Sequence, residues 1–292
     1  MPQLLLDIFR RGDGEQGGSR LPEKAAKLVR RQIRAALMQL QYRSSLDQLR
    51  CFGLFIGYPR SGHTLVASLL DAHPNMVFAN GLDAGQYLSR GFSLQQVAVL
   101  SLWNALRFSR HGRRSNGYDY IVPGGWHGRW RSLQVVGDKS GDLLSSYLKH
   151  EPGILARLLD EVGDKARFVH VVRNPYDCIT TIAVRGGLSL RAAAQEFFGL
   201  CHANALARRQ IPAAARIDVR LEDLIRQPQS TMEELCRFFG QESDRGYLAN
   251  CARLVFRSPH RSRGSLDWDA NLLREVADRS RAFPWLEGYS YQ

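Results

Sequence analysis

A glycine-bounded loop between an apolar strand and an apolar helix constrains this chain more than any other feature. The segment Cys51 to Ile56 is typical of a buried strand, and Leu65 to Leu70 is typical of a helix. Between them, Gly57 and Gly62 enclose four residues and Thr64 follows, which is the spacing of a loop that cradles phosphate. Such a loop points backbone N–H groups and a helix N-terminus at an anion. We therefore predict a phosphate-bearing ligand.

A second segment indicates another phosphate contact. Arg167 to Val172 reads as a buried parallel strand, and a helix is expected to open at Pro175. Arg173 lies at the end of that strand, and Thr181 follows it by eight residues. An arginine at a strand end and a hydroxyl two turns into the next helix can together hold one more phosphate group.

The two segments read Tyr58-Pro59-Arg60-Ser61-Gly62-His63-Thr64 and Val172-Arg173-Asn174-Pro175-x5-Thr181. As a pair they resemble the nucleotide motifs of the sulfotransferases that use 3′-phosphoadenosine 5′-phosphosulfate (PAPS). The resemblance covers roughly residues 51–292 and is closer to the tyrosylprotein, Golgi-type and bacterial members than to the cytosolic ones. It implies a P-loop-like fold and PAPS as the donor of a sulfuryl group, which moves in line to a hydroxyl or amine without a metal.

The resemblance also implies roles for particular residues. Arg60 would stabilise the leaving phosphate, and Lys139, in the echo Gly137-Asp138-Lys139, would bind the sulfuryl group. The residues expected to contact the 5′-phosphate are Ser61, Gly62, His63 and Thr64. Arg173 and Thr181 are expected to contact the 3′-phosphate. Arg261 and Arg263 belong to an Arg-rich loop that in the family folds over the nucleotide, with an exposed basic loop as the alternative. For His63 and Lys139 the alternatives are a helix residue without ligand contact and a solvated surface lysine.

The general base is the point at which this chain departs from the family. A glutamate is expected shortly after His73-Pro74, yet the matching positions hold Asn80 and Gly81. Asp83 is the nearest carboxylate and is our candidate for the base, with an N-cap of the following helix as the alternative. His127 is a second candidate, and its aromatic neighbours would line an acceptor pocket or the core.

Strand-like and helix-like segments alternate along the chain, which predicts an α/β fold with a parallel sheet flanked by helices. Ligands bind such sheets at the carboxyl ends of the strands. Gly57, Asp138 and Arg173 each follow a predicted strand, so we expect one site at that edge. The segment Arg110 to Pro123 reads as a polar loop.

The first 50 residues are expected to form a separate unit, with a sulfotransferase domain over residues 51–292. Glycines among charges predict a mobile terminus over residues 1–20. Pro22 to Leu46 reads as a basic amphipathic helix, either packed on the domain or facing a membrane or a partner. Its apolar positions at helical spacing are Ala25, Leu28, Ile33, Leu37 and Leu40.

Composition narrows the remaining possibilities. The chain has 292 residues, a net charge of +12 and five scattered cysteines, which we expect to be buried free thiols. No apolar run reaches the length of a membrane span and no secretory signal is evident, so a cytoplasmic location is expected. The charge suits PAPS or an acidic acceptor, and no nucleic-acid-binding motif accompanies it. A glycan, a protein tyrosine, a lipid or a small metabolite remain open as the acceptor.

Two other functions remain open. A P-loop kinase or NTPase would need a lysine where this chain has His63, and Asp138 is its one candidate for a metal-binding carboxylate. A sulfotransferase fold that binds nucleotide without turnover is favoured by the missing glutamate. We expect no metal site.

Overall fold

The computed structural model describes residues 21–292, and the side chains from residue 28 onward. The mobile terminus predicted at residues 1–20 lies outside this part. The strands are β1 (Cys51–Ile56), β2 (Met76–Ala79), β3 (Arg114–Ser115), β4 (Tyr118–Asp119), β5 (Val135–Asp138), β6 (Ala166–Val172) and β7 (Arg216–Arg220). The first α-helices are α1 (Leu21–Gln41), α2 (Arg43–Leu46), α3 (His63–Leu70), α4 (Ala84–Ser89), α5 (Leu94–Arg110), α6 (Gly141–His150) and α7 (Gly153–Val162). The later ones are α8 (Pro175–Gly186), α9 (Leu190–Gln210), α10 (Leu221–Arg226), α11 (Pro228–Phe238), α12 (Arg245–Leu254) and α13 (Ala270–Ser280).

Five strands form a parallel sheet in the order β2-β5-β1-β6-β7, which confirms the predicted fold class. The register pairs Leu54 with Asp138 and Ile56 with His170. The ends of β1, β5 and β6 therefore meet at one edge of the sheet. The loops that follow these three strands carry the residues of the predicted site.

Side chains from β1 enter different cores on the two faces of the sheet. Phe52, Leu54 and Ile56 pack in the core that also holds residues of α1, α5 and α7. Cys51 and Phe55 pack on the other face, with residues of α3, α11 and α12. A third core lies between α8, α9 and α13. Because both faces are covered, β1 is buried along its whole length, as its apolar sequence predicts.

The N-terminal helix packs on the domain through a different face from the one that the sequence suggests. Ala35 and Met38 are buried against the core, and Leu28 is partly buried against it. By contrast, Ile33 and Leu37 are exposed, as are Val29 and Leu40 on the same side. Helical spacing alone identified an apolar stripe but not the side of α1 that contacts the sheet layer. Within residues 21–292, none of the helices combines the length and the apolar character that crossing a membrane requires.

Local sequence signals explain several helix starts. Ser93 and Gln96 form a reciprocal capping box at the start of α5, with each side chain accepting from the other's backbone N–H. Helix α8 begins at Pro175 as predicted, and the side chain of Asn174 accepts from the N–H of Tyr176 at 3.0 Å. This cap fixes the chain immediately after Arg173.

Part of the segment predicted to be a polar loop is a short hairpin of β3 and β4. Arg113 anchors it, because its buried guanidinium donates to the Tyr120 carbonyl at 3.2 Å and to Asp71 Oδ2 at 2.7 Å. Asp71 also accepts from the N–H of Phe78 at 2.8 Å, so one carboxylate ties the hairpin to β2. Strands of two residues each are too short to show strand periodicity, which is why the hairpin was missed.

All five cysteines are buried free thiols, as predicted.

Candidate active site

A cavity of about 520 Å³ lies at the edge of the sheet where β1, β5 and β6 end. The residues that line it come from the loops after these strands, from α8 and α10, from the hairpin and from the segment 256–265. Its charged lining residues are Arg60, Lys139, Asp142, Arg173 and Arg185. Four cations around a single carboxylate make this cavity a site for an anion.

The loop after β1 is shaped as its glycines predict. Gly57 has a φ of +143° and Gly62 a φ of +108°, and Gly62 immediately precedes α3. The N–H of Gly57 donates to Ser145 Oγ at 2.8 Å, and Ser145 donates in turn to Asn204. The loop is thus fastened to α6 and α9, and the N-terminus of α3 is directed at the cavity, where Gly62, His63 and Thr64 are lining residues. Ser61 is fully buried beneath it, and its hydroxyl has no partner among the described residues.

His63 fills the space below this loop. A Cβ atom on Gly57 would lie 2.9 Å from His63 Nε2, and a Cβ on Gly141 would lie 2.9 Å from His63 Cε1. Burial lowers the pKa of the imidazole to about 4, despite the opposing charge of Asp142, so the ring is neutral at pH 7. Its Nε2 atom has no partner within the described part of the chain.

Arg60, Lys139 and Asp142 form the charged group at the β1 and β5 side of the cavity. Burial and the neighbouring charge of Arg185 lower the pKa of Arg60, while Asp142 opposes that shift. Burial also lowers the pKa of Lys139, against the charges of Asp142 and Asp138. Sequence reasoning missed Asp142, although the spacing Asp138-x3-Asp142 places it in the first turn of the helix that follows β5.

The Asp138 carboxylate has a structural role. One carboxylate oxygen accepts from the N–H of Leu82, and the other accepts from the N–H groups of Asp83 and Ala84, each at 2.9 Å. These bonds hold the chain after β2 against the end of β5. Both oxygens are therefore engaged, and Asp138 is absent from the lining of the cavity.

Arg173 lies between two loops. Its guanidinium donates to the carbonyl of Arg60 at 3.0 Å and to the carbonyl of His260, and its buried Nε has no partner in the described structure. Glu222 holds the backbone after it, accepting from the N–H of Asn174 at 3.0 Å. Glu222 is therefore the carboxylate that braces this strand end. Arg173 lines the cavity.

Thr181, which lies on α8, also lines the cavity. Its hydroxyl donates to the carbonyl of Asp177 at 2.7 Å and lies 2.9 Å from Ser262 Oγ. Ser262 is itself a lining residue, so the loop after α12 meets α8 at this point.

The two arginines predicted in that loop have different surroundings. Arg263 is buried, donates its backbone N–H to Asp177 Oδ1 at 2.9 Å and pairs with Asp177 Oδ2 at 3.4 Å. Arg261 is exposed. Neither belongs to the lining of the cavity, which instead contains His260, Ser262 and Ser265 from this segment.

The two candidates for the general base lie outside the cavity lining. Asp83 accepts from the Tyr147 hydroxyl at 2.7 Å, and burial raises the pKa of its carboxyl. It occupies the N-cap position of α4, yet its side chain makes no capping bond. His127 is buried, and its Nε2 lies 2.9 Å from the backbone nitrogen of Val122.

The outer part of the cavity has an aromatic wall, formed by Tyr118, Tyr120 and Phe256. Tyr118 contacts Phe256 edge to face, with ring centroids 5.5 Å apart, and lies 6.4 Å from the ring of Tyr120. Tyr118 and Phe256 are exposed, whereas Tyr120 is buried. Sequence reasoning did not identify this wall, because it joins the hairpin to a distant segment of the chain.

Comparisons with known proteins show similarity to sulfotransferases. A model described as the sulfotransferase family matches residues 145–245, which include β6, Arg173 and α8. The STF9 sulfotransferase from Mycobacterium avium superposes with a TM-score of 0.50 at 13% identity, covering 90% of this chain and 84% of that chain. A search of the curated proteins found no match.

Two further solved structures are similar at lower TM-scores. The sulfotransferase from Alicyclobacillus acidocaldarius gives 0.48 at 17% identity, covering 82% of this chain and 94% of that chain. Mouse sulfotransferase SULT7A1, solved with PAP, gives 0.38 at 13% identity, covering 78% of this chain and 72% of that chain. At these identities the structural likeness concerns the fold. The match over residues 145–245 makes that part of the chain similar to the sulfotransferase family.

Proposed function

We propose that this protein transfers a sulfuryl group from PAPS to the hydroxyl of an acceptor, in line and without a metal ion. The observation that carries the proposal is the cationic cavity, in which the loop after β1 and Arg173 after β6 both line one space. A nucleotide with phosphate groups at both its 5′ and 3′ positions matches two such anion-binding elements.

The residues present fit this donor. On the 5′ side, the first N–H groups of α3 have no acceptor within the helix, and the buried Ser61 hydroxyl has no partner among the described residues. On the 3′ side, the Nε of Arg173 has no partner among the described residues and is available to a phosphate. Thr181 lines the cavity beside it, and its hydroxyl would exchange its hydrogen bond to the Asp177 carbonyl for one to the phosphate. We assign Arg261 and Arg263 no direct contact, because Arg263 is paired with Asp177 and neither lines the cavity.

Arg60 and Lys139 would then act on the reaction itself. Negative charge develops on the oxygen that bridges sulfur and phosphorus as the bond between sulfur and this oxygen breaks. Cations held in a partly desolvated cavity stabilise that charge more than cations in water do, and removing one such group typically costs about 10²–10³ in rate. Both residues line the same side of the cavity, beside the loop after β1.

Two alternatives are less well supported. A kinase or NTPase would use a cation next to the β- and γ-phosphates, but His63 is neutral at pH 7 because burial lowers its pKa to about 4. Such an enzyme would also need carboxylates for Mg²⁺, and both oxygens of Asp138 already accept backbone N–H groups. A nucleotide binder without turnover is distinguished by measuring PAP formation from PAPS.

Calorimetric titration with PAP, AMP and ATP tests the proposal. The wild type should bind PAP more tightly than AMP, and Mg²⁺ should not be required. Arg173→Ala and Thr181→Val should each weaken PAP binding, the former by about 10–150-fold if a charged hydrogen bond contributes about 1.5–3 kcal/mol. AMP affinity should change little. Arg281→Ala, in an exposed ion pair on the surface, is the matched control. Preference for ATP over PAP would refute the proposal.

A further inference from the structure

We propose that Asp142 is the general base of this site and that the acceptor is an uncharged alcohol or phenol bound against the aromatic wall. This inference rests on the proposed sulfuryl transfer and adds to it a catalytic residue and a substrate class. It replaces Asp83 as the candidate base.

Asp142 is the only carboxylate among the described residues that line the cavity. Its side chain is half-buried, and no hydrogen bond or ion pair engages it within the described structure. Its charge nevertheless acts on Arg60, His63 and Lys139, and in each case it opposes a lowering of the pKa caused by burial. The carboxylate is therefore near the cations assigned to the reacting group and free to accept a proton.

The two histidines of the lining are poorer bases. The His63 ring is enclosed beneath the loop after β1, and burial disfavours its protonated form. His260 is held at the other side of the cavity, where its carbonyl accepts from Arg173, the residue assigned to the 3′-phosphate. Asp142 is a carboxylate whose charge acts on both Arg60 and Lys139.

A charge balance argues for an uncharged acceptor. The donor carries about four negative charges when its 3′-phosphate is fully ionised. The lining supplies four cations, Arg60, Lys139, Arg173 and Arg185, and Asp142 offsets one of them. An anionic acceptor would bring further negative charge into a cavity with no cation left to compensate it. A neutral hydroxyl compound avoids this penalty.

The aromatic wall supplies the complementary apolar contact. Tyr118 and Phe256 are exposed at the mouth of the cavity and contact each other. Val184 and Leu65 add aliphatic surface to the lining. An aryl or alkyl group laid on this surface buries apolar area, and aromatic contacts favour rings in particular.

The chemical step balances with these groups alone. The acceptor oxygen bonds to sulfur while the bond between sulfur and the bridging oxygen breaks, and that electron pair remains on the 5′-phosphate of the PAP product. The proton of the acceptor hydroxyl passes to the Asp142 carboxylate and then to water. Arg60 and Lys139 stabilise the charge left on the phosphate oxygen.

The first test compares Asp142→Asn with wild type on two phenols, with PAPS as the donor. For a phenol with a pKa of about 10, kcat should fall about 10²–10⁴-fold because no base removes the proton. For a more acidic phenol such as 4-nitrophenol, whose hydroxyl gives up its proton more readily, the loss should be much smaller. PAP affinity should be unchanged or higher, since a negative charge has been removed. Asp160→Asn, an exposed carboxylate on α7, is the control.

Equal losses on both phenols would overturn the assignment of Asp142, because a structural defect would not depend on acceptor acidity. Retention of full activity would overturn it as well. Asp83→Asn assayed in parallel should leave the dependence on phenol acidity as in wild type.

The second test concerns the acceptor class. The PAP-binding wild type is assayed with 2-naphthol, a long-chain alcohol and a sulfated heparin oligosaccharide. We expect transfer to at least one uncharged compound and none to the oligosaccharide, and Phe256→Ala should raise the KM for the acceptor without changing PAP affinity. Transfer only to the anionic compound, or to none of the three, overturns the substrate class. The PAP titration separates this outcome from failure of the proposed function, which would abolish PAP binding itself.

Discussion

The buried ion pair between Arg113 and Asp71 should be a major contributor to the stability of the hairpin and of the domain. The two side chains are 3% and 0% exposed, and the Arg113 Nη1 to Asp71 Oδ2 distance is 2.7 Å. Replacing Arg113 with methionine keeps an unbranched side chain but leaves the Asp71 carboxylate with the Phe78 N–H as its hydrogen-bond donor and with His127 Nδ1 3.9 Å away. The variant also loses the hydrogen bond to the Tyr120 carbonyl.

Removing one member of a buried pair typically destabilises a protein by about 3–5 kcal/mol, because the other charge stays buried without compensation. We expect Arg113→Met to fall in this range, which is a large part of a typical unfolding free energy of about 5–15 kcal/mol. The exposed pair of Arg281 and Asp278, at 79% and 66% exposure, provides the comparison. Arg281→Met should change the unfolding free energy by less than about 1 kcal/mol.

Urea unfolding followed by circular dichroism measures both effects, and the double variant Asp71→Asn/Arg113→Met completes the test. The double variant carries neither charge of this pair. Its loss of unfolding free energy should therefore be smaller than the sum of the losses of the two single variants. The hairpin carries Tyr118 and Tyr120, so Arg113→Met should also raise the acceptor KM while PAP affinity is kept. A loss below about 1 kcal/mol for Arg113→Met, or strict additivity, would refute this reasoning.

Three further predictions concern the loop and the reacting group. Burial lowers the pKa of His63 to about 4 from the usual 6.5, so the unfolded chain binds this proton more readily and stability falls as pH drops from 6.5 toward 4. Between pH 7 and pH 5, the free energy of unfolding of the wild type, measured by urea titration, should fall by about 2 kcal/mol more than that of His63→Gln. The same pH dependence for both proteins would contradict the burial of this ring. Gly57→Ala should destabilise the protein by at least about 1 kcal/mol and weaken PAP binding, because the φ of Gly57 is +143° and an added Cβ would press on His63. An unchanged midpoint of thermal unfolding would contradict this prediction. Lys139→Met should lower kcat about 10²–10³-fold with little change in PAP affinity. A loss of PAP affinity with kcat unchanged would show that Lys139 binds the nucleotide and does not stabilise the transition state.

The sequence was sufficient to predict the fold class and the edge of the sheet that holds the cavity. A glycine loop or an arginine that follows an apolar strand can be placed from the sequence, because the carboxyl ends of parallel strands meet at one edge of the sheet. Gly57 and Arg173 could be placed in this way. Asp138 was also placed correctly at a strand end, but its role in holding the chain after β2 depends on backbone N–H groups that no sequence pattern displays.

Other features depended on contacts between distant segments. The aromatic wall requires Tyr118 and Phe256 to meet across more than a hundred residues, and neither lies in a recognisable motif. The sequence did not show which side of α1 packs on the domain, because two apolar stripes share the helix and only tertiary contacts distinguish them. The pairing of Arg263 with Asp177 likewise could not be distinguished from a ligand-binding arginine by position in the chain.

The buried cysteines lie in different cores, so their reactivity can show which part of the protein unfolds locally. Cys178 and Cys201 lie in the core between α8, α9 and α13, whereas Cys236 and Cys251 lie on the other side, in the core with α3, α11 and α12. Burial raises the pKa of all four thiols, to about 12 for Cys236 and Cys251, so the native state contains almost no reactive thiolate. Alkylation therefore requires local unfolding, and the order in which the two pairs react would show which of these two cores opens first.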